Sequence, residues 1–500
     1  MERWQVVTGT VFAYLLATLA IGLLAGRRSS QSVAGYVAAD RQFGLLAMYF
    51  ITGATVFSAF AFLGGPGWAY SRGVAVMYIL AYGVLGIAPW YFTGPKAGRI
   101  GRRFGFVTQA QLVVGRFPSR ALSILLATIS VAAFVPYIML QMSGAGIVFS
   151  AVTEGHVPFW LGAALAYAVV LIYVLIGGVS AVGWTNVFQG IFMLAVAWIL
   201  GLYIPAKLYG GVGPMFERIA ETRPELLLLP GLDADGTPWS WGAYSSAILS
   251  SALGLILWPH LFMKSFTARD EETLRRTVVL FPTFQLFLVP IIIIGFAGVL
   301  YPSPPPSPDF IVPHIILSAG LPALIVGIFC AGALSASMST GDALLHAAAS
   351  IAIEDGVAPF VALDDRRRRF LMRLLVVLIG GMAYYLAIIQ QKTLVWLLLT
   401  AYGLIDQLAP PVYAALYWRR ATTPGVLAGL AAGIVTNIFF LVRADLRPFE
   451  IHEGILGVVV NTGVLIVVSL LTRPQDPAHA ASFVDEAEAP RTPEPVGAVR

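Results

Sequence analysis

The stretch from Cys330 to Ser350, CAGALSASMSTGDALLHAAAS, concentrates polar groups in an otherwise apolar neighbourhood. Ser335, Ser339, Asp342 and His346 recur at i, i+4, i+7 and i+11, so they share one face of a helix. A run of hydroxyls beside a carboxylate suits a hard cation or a polar solute. Isolated Ser and Thr, however, usually bond back to their own helix. An aspartate inside a membrane span costs about 2.5–3.5 kcal/mol at the bilayer centre, so Asp342 is expected to be paired, near an end, or functional. Asp406, within AYGLIDQLAPPVY, is the second such acid. At least one of the two is expected to line a solute or ion path; the alternative is an inter-helix hydrogen bond or salt bridge. Enzyme chemistry is not indicated. There is no GxxxxGK loop and no HExxH, His452-Glu453 lacks a second histidine, and Cys330 is the single cysteine.

The elements that hold these residues follow from composition. Of 500 residues, 58% are hydrophobic and 11% charged, too few charges to cover a water-soluble protein of this size. With about 20 apolar residues per bilayer crossing, the chain reads as thirteen spans. They lie near 4–25, 44–70, 74–94, 121–152, 158–177, 183–206, 240–262, 277–300, 321–352, 370–390, 393–417, 424–442 and 453–472. The first run is long and ends in Arg27-Arg28, which marks a retained span rather than a cleaved signal. The net charge of +5 reports topology, not nucleic-acid binding. With the N-terminus outside, 20 of the 31 basic residues fall on inner loops, among them Arg28, Lys96, Arg116, Lys264, Arg366 to Arg369 and Arg419. The expected protein is a multi-pass inner-membrane protein with its C-terminus in the cytoplasm. The tail, 473–500, lacks apolar periodicity and is expected to be disordered.

A helix can break inside hydrocarbon only where protein or a polar cavity satisfies the freed backbone groups. Two spans invite such breaks. The second contains Gly53 and Gly64-Gly65-Pro66-Gly67, and the seventh contains Gly254 and Trp258-Pro259-His260. They are five spans apart and so cross in opposite senses, as an inverted repeat of five plus five spans requires. The chain then divides into an extra helix at 1–30, repeats at 44–206 and 240–417, two further helices at 424–472, and the tail.

Four stretches resemble the sodium:solute symporter family: GYVAADRQFGLLAMYFITGATVFSAFAFLGGPGWAYSRG, GGVSAVGWTNVFQG, WPHLFMKSF and AGALSASMSTGDALLHAAASI. The resemblance spans roughly residues 35–420. It implies an all-α fold of the leucine-transporter class and coupling of solute uptake to Na+ by alternating access. It also implies a sodium site built from the carbonyls of Ala54, Phe57 and Ala336 with the hydroxyls of Ser339 and Thr340. Many members carry Asp in Trp-Thr-Asp, implicated in ion access, where this chain has Asn186; Asn186, Asp342 and Asp406 are therefore the coupling candidates. VAAFVPYIMLQMSG and the WPH step look like the monocarboxylate and short-chain organic-acid branch. That likeness makes Pro136, Tyr137, Gln141, Trp258 and His260 the candidate solute-lining residues. The expected partners are a small organic solute and the lipid bilayer, with no obligate protein partner. Alternatives are proton coupling with the same solute class, an amino acid or sugar as solute, or a membrane sensor. Cysteine labels at residues 232 and 480 are expected to report from opposite sides of the membrane.

Overall fold

A computed structural model of the protein describes residues 2–27, 32–389 and 394–485. Arg28 and residues 486–500 lie outside them. Among the described residues the regular structure is helical, and the extended pairings are two isolated bridges, Phe43 with Ala268 and Leu232 with Pro238. Among the described residues ten helices are long and apolar enough to cross a bilayer, or eleven if one bent pair is taken as a single span. Their outward faces carry large apolar side chains such as Leu16, Ile199, Val435 and Leu471. Lipid tails are the natural solvent for such a surface.

The first helix, α1 (Arg3–Gly26), precedes a broken one. Helix α2 (Leu45–Val56) stops where Phe57 turns to extended backbone, at φ −96° and ψ 93°. After a π-helical turn at Phe60–Gly64, α3 (Gly65–Arg72) resumes with Pro66 in its first turn, where the missing N–H is no loss. The long α4 (Arg120–Val152) follows. Next comes α5 (Phe159–Tyr209), 51 residues that would measure roughly 76 Å if straight, against a hydrocarbon core of about 30 Å. It is divided at Gly178, whose φ of 53° and ψ of −145° lie outside the helical region. A Cβ there would also meet the Tyr36 ring at 2.5 Å, so the residue must be glycine. The spans expected at 158–177 and 183–206 are the two arms of this helix.

The second break comes between α6 (Trp241–Leu255) and α7 (Pro259–Phe262), which a 3-10 turn extends through Met263–Phe266. Pro259 has no N–H to donate back to Leu255, and the two parts bend by 43°. Helix α8 (Glu271–Gln285) lies against α2 through Phe284, whose ring leaves room only for glycine at position 53. At the centre is α9 (Ala323–Ile351), buried almost throughout between α1, α4 and α5. Beyond it are α10 (Asp365–Ile389), α11 (Leu394–Asp406), and the mutually packed pair α12 (Thr423–Val442) and α13 (Glu453–Leu471).

The tail departs from expectation. Residues 477–485 are not disordered, because α14 (Pro477–Val484) docks on the body of the protein. Phe483 stacks on Phe104 with centroids 5.0 Å apart, and His479 bonds the Arg116 carbonyl at 3.2 Å. Arg116 is itself buried, with its guanidinium bonded to the Gln475 side chain and the Arg419 carbonyl. One aromatic anchor and a few hydrogen bonds hold the helix, which is why apolar periodicity does not betray it.

Leu232 and Ala480 are both buried, so they are poor labelling sites. Asp235 and Arg367 are exposed. In a Cys330→Ala background, cysteines at 235 and 367 are expected to react with a membrane-impermeant maleimide from opposite sides. Labelling of both from one side rules out the proposed topology.

Candidate functional site

The break after Val56 removes the N–H groups that would cap the last turn of α2. Helix α9 supplies replacements. Ser339 Oγ donates to the Ala54 carbonyl at 2.8 Å and lies 3.3 Å from the Ala336 carbonyl. Thr340 Oγ1 donates to the Thr55 carbonyl at 2.9 Å. Ala54, Ala336, Ser339 and Thr340 are thus gathered at one place between α2 and α9, all fully buried. Phe57 begins the extended step, and its ring joins Phe281, Phe284 and Phe287 with centroids 5.0–5.8 Å away. The assembled oxygens are uncharged, the donor type that a singly charged hard cation accepts without being trapped. Such an ion would take the place of the hydroxyl hydrogens that now bridge these oxygens.

Asn186, on α5, closes this site from the side. Its Nδ2 donates to the Ser339 carbonyl at 3.0 Å and to Thr55 Oγ1 at 3.2 Å, while Oδ1 has no partner. Asp342 is one turn along α9. Its Oδ2 accepts from Tyr173 at 2.7 Å and from Thr185 at 3.3 Å, and its Oδ1 is unpartnered. The other residues on its helix face do not converge on a path. Ser335 donates to Tyr14 of α1 at 2.8 Å, and the His346 ring meets the Tyr36 carbonyl at 2.8 Å. The face is a hub of inter-helix bonds. Asp406 lies elsewhere: its carboxylate accepts from Ser250 of α6 and abuts Gly254 and Gly454, and no contact joins it to the oxygens around Ser339.

Four of the five solute candidates meet around the breaks. Tyr137 packs on Trp258 at 4.8 Å and on His260 at 6.1 Å, with Phe134 stacked on Trp258 at 5.9 Å. Gln141 reaches the first break, where its Oε1 accepts from the Ala59 N–H at 3.0 Å. Pro136 is partly exposed and no ring contact ties it to the cluster. The Nε2 of Gln141, the indole N–H of Trp258 and both ring nitrogens of His260 are buried without partners.

Sequence reasoning missed Thr55 and Lys264. Lys264 was counted with the inner loops, yet it is buried, and its ammonium donates to Thr55 Oγ1 at 3.1 Å. The signal was its position in WPHLFMKSF, four residues after His260 and so on the same helical face. Ser337 is a further residue that the sequence did not single out. It donates to the Gln141 carbonyl at 2.6 Å and therefore holds a solute candidate in place.

Several known proteins are similar to the chain over nearly its whole length. The "Uncharacterized symporter YhjB" of Bacillus subtilis is 28% identical over 489 residues, 94% of this chain and 98% of that protein. The "Monocarboxylate transport permease protein" of Rhizobium johnstonii is 24% identical, covering 94% and 97%. Among solved structures, a Na+-coupled sialic acid symporter in a substrate-bound outward-open state superposes with a TM-score of 0.78 at 18% identity, covering 94% and 98%. That likeness places the fold in the leucine-transporter class. The model of the sodium:solute symporter family matches residues 36–433, and the chain belongs to that family.

Proposed function

We propose that the chain is a Na+-coupled symporter for a small monocarboxylate or similar organic acid, working by alternating access. The carrying observation is the meeting of Ala54, Ala336, Ser339 and Thr340 at the end of a broken helix. In this reading the carbonyl of Phe57 completes the sodium site. Repeats at 44–206 and 240–417 within thirteen spans, with the N-terminus outside and the C-terminus in the cytoplasm, supply the alternating geometry. None of the five proposed ligands titrates near neutral pH, which favours sodium over a proton. A proton-coupled cycle would have to use Asp342, the acid nearest the site.

The solute class rests on the unpartnered groups in the Tyr137–Trp258 cluster. Gln141 Nε2 and the Trp258 indole are donors, and a neutral His260 donates from one nitrogen. Buried donors favour a solute rich in acceptor oxygens, because each left unmet costs about 1–3 kcal/mol. A carboxylate answers that need, and the solutes named for the permease and the sialic acid symporter both carry one.

In proteoliposomes, an imposed sodium gradient is expected to drive uptake of a short-chain organic acid while a proton gradient alone does not. The reverse result would transfer the coupling to Asp342. Ser339→Ala or Thr340→Ala is expected to weaken sodium binding by about 1–3 kcal/mol, roughly 5- to 150-fold. By linkage, solute affinity should fall only when sodium is present. Ser350→Ala is the control, because the Ser350 hydroxyl bonds back to His346 within α9. Parental half-saturation in both variants would remove the proposed site.

Asn186→Asp puts a carboxylate where Nδ2 now donates to the Ser339 carbonyl. Two acceptors then face each other unless a cation or proton joins them. A severalfold change in half-saturating sodium is expected, and superimposable sodium titrations would show that residue 186 does not bear on coupling.

A further inference from the structure

Lys264 sits where a positive charge is costly. Its ammonium has three donors, of which Thr55 Oγ1 takes one. Among the described residues no carboxylate lies within ion-pair distance of it; Asp342 gives one oxygen to Tyr173 and Thr185 and keeps the other without a partner. A buried charge left in this state is strongly destabilising unless something compensates it. Lys264 also walls an internal cavity of about 30 Å³, together with His260, Thr267, Phe43 and His346. No acid lines that cavity. The His346 ring is taken by the Tyr36 carbonyl, whereas neither nitrogen of His260 has a partner. The volume suits one or two water-sized groups rather than a whole solute. His260 belongs at once to this cavity and to the Tyr137–Trp258 cluster, so one side chain joins the two.

We propose that Lys264 and His260 form a subsite for a compact monoanion, the carboxylate head of the solute or a halide ion, beside the sodium site. The inference rests on the reading of the chain as a sodium-coupled carrier of organic acids and assigns the charge that selects them. Thr55 links the two cations: its carbonyl is held by Thr340, within the proposed sodium site, and its hydroxyl by Lys264. Sodium and an ammonium without an ion-pair partner repel each other across this residue. An anion between Lys264 and His260 relieves that repulsion, so acid and sodium each bind better with the other present. A neutral solute of the same shape gains nothing from it.

The test uses the purified full-length protein in sodium sulfate, titrated with acetate, propionate, pyruvate and lactate, the primary amide of each, and chloride. Thermal stability is the readout. At least one of these anions is expected to stabilise the wild type while the amides do not. Lys264→Met is expected to lose at least tenfold in anion affinity, yet to melt without ligand at the wild-type temperature or above, since a buried uncompensated charge has gone. Lys264→Arg should keep binding within a few-fold. Stabilisation by the acids but not chloride assigns the subsite to the solute head, and stabilisation by chloride alone assigns it to an inorganic ion. If Lys264→Met binds an acid as tightly as the wild type, the subsite is overturned while the organic-acid reading stands. If neither the acids nor chloride stabilise the wild type, the subsite falls and the organic-acid reading falls with it.

Discussion

A backbone carbonyl inside hydrocarbon must be met by a donor, and the broken α2 leaves several of them, those of Ala54 and Thr55 included, without their helical N–H groups. The arrangement of the transport core depends on how they are met. Consecutive hydroxyls on α9, Ser339 and Thr340, donate to consecutive carbonyls on α2. Two neighbouring side chains on a helix diverge by about 100°, and both find an open carbonyl because these carbonyls belong to the last turn of α2, which stops at Val56. The break and the hydroxyl pair therefore require each other. A continuous α2 would turn its carbonyls along its own axis, and a single hydroxyl would leave one carbonyl unmet.

The same logic makes α9 the organiser of its surroundings. Successive polar residues on it engage different partners: Ser335 holds α1, Ser337 holds α4 at Gln141, and Asp342 holds α5 through Tyr173. A side-chain hydrogen bond between membrane helices contributes modestly, on the order of 0.6 kcal/mol on average. Their worth lies in register. Each fixes the rotation of one neighbour relative to α9, so Asn186 and Gln141 arrive at the breaks from different helices with their amides correctly turned.

Much of this was legible in the sequence, and the reasons for the exceptions are physical. The breaks were readable because proline and glycine act on the backbone locally, at Pro259 and around Gly53. Ser339 and Thr340 were readable through the family motif. The division of α5 at Gly178 was foreseen only as a gap between apolar runs, since nothing in a lone glycine says that Tyr36 will press on it. The docked tail was missed because its anchor is one aromatic residue in a polar segment. Lys264 was mistaken for a topology signal because a basic residue near the end of an apolar run looks the same whether it snorkels to the surface or turns inward. Only the position of Thr55, set by the break in a different span, separates the two.

That inward turn also gives physical sense to Asn186. Asn186 Nδ2 and Lys264 Nζ donate to the same atom, Thr55 Oγ1, so their side chains share one small space. An aspartate at 186 would bring its negative charge into that space and neutralise the ammonium there. With asparagine at 186 the acid nearest the site is Asp342, which forms no ion pair with the lysine and gives one oxygen to Tyr173 and Thr185. On the proposed subsite, the charge of Lys264 is then left for the bound anion to answer. In a carrier, an interaction satisfied only when the solute is present changes strength as the solute enters and leaves, which a permanent internal ion pair cannot do. The neutral residue at 186 and the buried lysine are in this sense one device.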